Sequence, residues 1–200
     1  MLKTLTLNMG KSLGNILQTG EQAEVYAYAL ELLLMVLINL VLVILAAFCL
    51  QIVPTTLAFL AVFIPFRGWG GGVHMSTFPR CLVVGSSLML GSAYFASVEM
   101  MNRLPLEVLL VVGLMFVLIC TLKWVPANIC RNPTNSAETL KRQKRKMLIT
   151  VFIWAGSVSA FIALQYNDLA LAMILGAIVS AVLISPFGFK LIGSVDRMLN

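Results

Sequence analysis

His74 is the chain's one histidine, and Cys81 follows it by seven residues. An imidazole can take the proton of a thiol, and the thiolate can then attack a carbonyl carbon, so this pair offers a general base and a nucleophile. Spacing alone does not join them. On one continuous helix, positions seven apart share a face but lie about 10 Å apart along the axis. Contact requires His74 to lie outside the helix and fold back. The sequence permits this, because Ser76 or Thr77 suits a helix N-cap and Pro79 suits a first turn. Cys81 then falls in the first turn, where the helix dipole favours thiolate. Arg67 and Arg80 reinforce that effect if they are close. Gly70, Gly71 and Gly72 run consecutively just before Val73. The N–H groups of these four residues are candidates for binding an oxyanion.

Blander readings stand beside these. Cys49 and Cys120 lie inside apolar runs and read as small fillers. Cys130, in a polar segment beside Arg131, is a rival nucleophile. A lone loop histidine is often an ordinary polar residue, and consecutive glycines let a loop turn. Four cysteines without C-x-x-C spacing, and a single histidine, make a zinc site unexpected; no metal or other cofactor is expected.

The elements that must position these residues are membrane helices. Of 200 residues, 60% are hydrophobic and 11% charged, where a soluble domain carries roughly 25% charged residues. Mean hydropathy is +0.97. This excludes a soluble globular enzyme, a secreted disulfide-rich domain and a disordered chain. The apolar runs are continuous, unlike the alternating strands of an outer-membrane barrel. In such a chain the net charge of +6 marks cytoplasmic loops rather than a nucleic-acid partner.

Residues 1–24 lack the unbroken apolar core of a signal peptide, because Asn8, Gly10, Lys11 and Ser12 interrupt it. Leu2, Leu5, Met9, Leu13, Ile16 and Leu17 recur at helical spacing, which predicts an amphipathic helix on the membrane surface. Residues 25–200 then form a six-span domain. Val25 to Phe66 would make a helix of about 63 Å, twice the roughly 30 Å hydrocarbon core, so it holds two spans turning near Gln51 and Pro54. An earlier turn near Asn39 is the alternative. Residues 67–81 are expected as a loop leading into the third span, Cys81–Val98. Leu106–Val125 is the fourth span, 126–146 a long basic loop and Met147–Tyr166 the fifth. Asn167 and Asp168 are expected to turn the chain into the sixth span, Leu169–Phe189, before a polar tail. With the N-terminus inside, thirteen Lys and Arg residues fall on the inner side and only Arg103 outside. That bias places both termini and both long loops in the cytoplasm.

The run Arg67-Gly-Trp-Gly-Gly-Gly-Val-His74-Met-Ser-Thr-Phe-Pro-Arg-Cys81 resembles the signature of the AgrB family, membrane cysteine endopeptidases of Gram-positive quorum sensing. Arg67, Gly72, His74 and Cys81 each match the family pattern. Trp124-Val125-Pro126, Asn132-Pro133 and the basic run after them resemble a second family element, with Trp-Val as a departure. The resemblance implies that Cys81 attacks an AgrD-type precursor at its C-terminal cleavage point, with His74 as base and then acid. A peptidyl thioester on Cys81 follows, and a cysteine within the peptide closes a thiolactone.

Glu31, inside the first span, is a candidate to orient His74, since an ionisable residue in a span is a functional hypothesis; packing or snorkelling is its plainer role. Lys141, Arg142, Lys144, Arg145 and Lys146 anchor topology at anionic lipid, and they are also candidates to hold the precursor's acidic tail. The expected partners are the precursor and the lipid bilayer, with a homodimer left open. A non-catalytic peptide transporter or exporter is the alternative, although no repeat symmetry supports it. A purely structural membrane subunit is a third reading.

Overall fold

In a computed structural model of the chain, the described residues are 23–73, 75–98, 103–127 and 137–198. The expected amphipathic helix of residues 1–24 lies almost wholly outside them. The described chain forms seven helices: α1 Ala23–Cys49, α2 Val53–Gly70, α3 Phe78–Val98, α4 Arg103–Trp124, α5 Ala137–Ala163, α6 Asn167–Ile184 and α7 Pro186–Met198. The protein is all-α. Five helices, α2 to α6, are long and apolar enough to cross a membrane, and Leu33–Cys49 of α1 is a shorter apolar stretch. Residues up to Leu45 cluster as one compact unit and residues from Ala46 onward as another.

The α1–α2 turn falls where the sequence places it. Gln51 adopts φ 59°. Its N–H donates to Phe48 O at 3.1 Å, and the Ile52 N–H donates to Ala47 O at 2.9 Å. These are the two closing bonds of a Schellman motif. Pro54 then enters the first turn of α2, where a missing N–H costs nothing. The same device ends α5. Gln165 has φ 65°, its N–H donates to Ile162 O, and the Tyr166 N–H donates to Phe161 O. The turn is therefore made by residues 164–166. Asn167 and Asp168, expected to form it, instead begin α6.

Three further expectations are corrected. The loop over 67–81 is shorter than read: α2 continues through Arg67 to Gly70 despite Pro65, and α3 already starts at Phe78. The basic run is helical rather than a loop, because Glu138, Leu140, Lys141, Arg142 and their successors are good helix formers continuous with the apolar span. The sixth span stops at Ile184. Ser185 is extended (ψ 157°), its hydroxyl accepts the Gly188 N–H at 3.3 Å, and Pro186 opens α7. Ser followed by Pro is an N-cap and first-turn pair. The expected polar tail is thus a separate helix, with Gly188 and Ile192 buried.

Helix α6 is the axis of the bundle. Ala170–Ile174, Gly176, Ala177, Ser180 and Ala181 are all buried, so it packs on several sides at once. Its small residues let neighbours come close, as in other membrane bundles. A side chain at Gly176 would meet the Phe59 carbonyl at 2.8 Å, which leaves room only for glycine. Trp154 of α5 donates its indole N–H to Met173 O at 3.1 Å and meets Phe66 edge to face. These contacts seat the C-terminal end of α2, where the loop begins, against α5 and α6.

Candidate active site

The loop leaves α2 under the control of Arg67. Its guanidinium, part-buried, turns back and donates from Nη1 to Gly71 O at 3.0 Å and from Nη2 to Val73 O at 2.9 Å. A planar fork can hold two carbonyls at once, which an ammonium cannot do with the same geometry. Gly71 and Gly72 take φ values of 72° and 131°. A side chain at Gly72 would collide with Arg67 Nη1 and press on Leu183 O. The Val73 N–H donates to that same Leu183 carbonyl at 3.2 Å, fixing the loop to the end of α6.

Cys81 lies in the first turn of α3, with its N–H on Thr77 O at 3.1 Å, and is half-buried. The positive charge of the Arg67 guanidinium is felt at the Cys81 position. Arg80 pairs with Asp196 of α7 at 3.3 Å. Ser76 donates twice to the same carboxylate, from N–H to Oδ2 and from Oγ to Oδ1, both at 3.0 Å. The Ser76 hydroxyl bond, with the Ser76 N–H and Arg80 beside it, holds the Asp196 carboxyl below the usual carboxylate range. His74 and Cys130 lie outside the described residues. Glu31 lies on α1, and its side chain is also outside what is described. Cys49 is exposed and Cys120 buried.

The loop N–H groups are partly committed. Gly71 N–H donates to Arg67 O at 3.0 Å, and Val73 N–H is held by Leu183. Gly70 is the last helical residue, and its carbonyl accepts the Ala127 N–H at 3.0 Å. That bond joins the segment after Trp124-Val125-Pro126 to the glycine loop, so two separate sequence elements meet. From the basic run, Lys146 places its ammonium 4.3 Å over the Trp69 ring, a cation–π contact. Lys144 donates to Leu122 O at 2.6 Å, at the C-terminal end of α4. Lys141, Arg142 and Arg145 are exposed. Among the described residues, no group of three or more His, Cys, Asp or Glu side chains could hold a metal ion.

Two participants went unread in the sequence. Asp196 had a signal, being the only acid in the tail after α6. Leu183 had none, because it contributes a backbone carbonyl.

The fold and site define a multi-pass, all-helical membrane protein with a cysteine at a helix start beside an arginine-clamped glycine loop. The chain belongs to the AgrB family: the model of Accessory gene regulator B matches residues 2–185. It is also similar to an AgrB-like protein of Clostridium perfringens (strain SM101 / Type A). The two are 21% identical over 193 residues, covering 90% of this chain and 89% of that one. No solved structure matches it. Membership places the chain in the agr quorum-sensing system, in association with the membrane and an AgrD-type peptide.

Proposed function

We propose that the chain is a membrane-embedded cysteine endopeptidase that cleaves an AgrD-type precursor and closes its peptide into a thiolactone. His74 takes the Cys81 thiol proton, and the thiolate attacks the carbonyl carbon at the C-terminal cleavage point. The C–N bond breaks, and the leaving amine takes the proton from His74. The N-terminal part of the precursor is now a thioester on Cys81. A thiol within the peptide gives its proton to His74 and attacks that carbonyl. A new C–S bond closes the ring, and Cys81 leaves and recovers the proton. Acyl transfer from sulfur to sulfur keeps the bond's reactivity through the sequence.

One observation carries the reading: Arg67 grips the carbonyl just before His74 and lies within charge range of Cys81. Family membership supports the substrate class. The basic face of α5 is then a seat for the precursor's acidic tail, and the charge bias places the loop in the cytoplasm. The test is co-expression with an AgrD-type precursor, reading the released C-terminal fragment by mass spectrometry. Wild type should release it and Cys81→Ala should not. Equal release by Cys81→Ala would return the chain to the transporter class.

A further inference from the structure

The segment that runs from the glycine loop to Cys81 is anchored at two places, one on each side of His74 in the sequence. Residues 71 and 73 are held by Arg67 of α2 and by Leu183 at the end of α6. Ser76 and Arg80 are held by one carboxylate, Asp196 of α7. In the sequence, Ser76 stands two residues after His74, and Arg80 immediately precedes Cys81. His74 and Met75 are the two residues between the anchors.

We infer that Asp196 is a positioning residue, by which the C-terminal helix fixes the backbone between His74 and Cys81. This rests on the peptidase reading for its effect on rate, but not for the anchoring itself. Three donors converge on the carboxylate: the Ser76 N–H, the Ser76 hydroxyl and the Arg80 guanidinium. Charge-assisted bonds of this kind are the stronger ones. Helix α7 can bear the load because it is itself seated. Gly188 and Ile192 are buried, and a side chain at Gly188 would strike the Val182 carbonyl. A base that must meet its thiol within hydrogen-bond reach loses rate when its backbone wanders. The Asp196 carboxylate is engaged by Ser76 and Arg80, so on this reading its removal should act on kcat rather than KM.

The experiment compares the full-length wild type with Asp196→Ala, Asp196→Asn, Asp196→Glu and Arg197→Ala in detergent micelles. Among the described residues Arg197 bonds within its own helix, to Gly193 O and Ser194, and it serves as the control. Hydrogen exchange is read over residues 75–80 and over α7, and precursor cleavage is read as kcat and KM. Asp196→Ala and Asp196→Asn should speed exchange over 75–80 about ten-fold while α7 keeps wild-type protection. Their kcat should fall about ten-fold with KM within two-fold, Asp196→Glu should recover part of both, and Arg197→Ala should match wild type. Unchanged exchange over 75–80 overturns the anchoring. Faster exchange with unchanged kcat overturns the positioning role, and so does a loss of α7 protection that parallels the loss of rate. If wild type and Cys81→Ala release the same products, the peptidase reading fails, and the exchange result alone decides whether Asp196 holds the segment.

Discussion

Arg67 Nη2 donates to the Val73 carbonyl across 2.9 Å, so the last turn of one membrane helix holds the residue immediately before His74. The same guanidinium holds Gly71. One side chain thereby fixes the loop's path at two carbonyls and carries positive charge toward Cys81.

The fork can be tested apart from the charge. Arg67→Lys keeps the cation but cannot span both carbonyls. A hydrogen bond to a charged group is worth about 1.5–3 kcal/mol, and about 1.4 kcal/mol is a factor of ten. Precursor cleavage should therefore fall about ten-fold or more in Arg67→Lys, and further in Arg67→Ala. A lysine variant within two-fold of wild type would show that charge alone suffices.

Two glycines close together in sequence should behave oppositely. Gly72 has φ 131°, and an added Cβ would displace the Arg67 guanidinium. Gly68 has nothing within 4 Å of such an atom. Gly72→Ala should lose most cleavage activity, while Gly68→Ala should be close to wild type in both expression and rate. Equal tolerance at both sites would remove the Arg67 clamp from the mechanism.

The cysteines separate by position. Cys81→Ser and Cys81→Ala should abolish cleavage. Cys49→Ala and Cys120→Ala should keep most of it, since one is exposed on α1 and the other is buried filler in α4. Loss of activity in Cys130→Ala with normal cleavage by Cys81→Ala would move the nucleophile to Cys130.

Much of this architecture was legible because apolar length against bilayer thickness is a strong constraint. The Gln51 turn followed from it, with Pro54 as a marker. The Gln165 turn did not, because glutamine is an uncommon residue in the left-handed region and the neighbouring Asn167-Asp168 pair has stronger turn chemistry. Ser185-Pro186 was a readable helix start hidden inside an apolar run. The glycine loop and Cys81 were visible as residue types, and Arg67 as a neighbour. Their connections run through the backbone carbonyls of Leu183 and Gly70, which no residue type announces.

The proposed orientation rests on the charge bias and can be tested chemically. An impermeant thiol reagent applied to intact cells should leave Cys81 and Cys130 unlabelled. In inverted vesicles it should label whichever of them is accessible. Labelling of either from outside would overturn the arrangement with both termini in the cytoplasm.

The basic run of α5 divides into two groups that should fail differently. Lys144 and Lys146 are engaged with Leu122 O and the Trp69 ring, so they brace the bundle beside the loop. Lys141, Arg142 and Arg145 are exposed and available to an acidic peptide tail. Exposed ion pairs are worth about 0–1 kcal/mol each, so single neutralisations there should be mild. Replacing Lys141, Arg142 and Arg145 together by Gln should raise the apparent KM about ten-fold and leave the saturated rate nearly intact, because the proposed reaction gives these residues no part in the chemical step. Glu in the run with Lys in the precursor tail should restore part of the activity. Lys146→Gln should instead lower the saturated rate, through Trp69 and the loop it adjoins. Insertion must be checked in every variant, since the same charges orient α5. A triple variant that inserts normally and keeps the wild-type KM would reduce the exposed group to a membrane anchor.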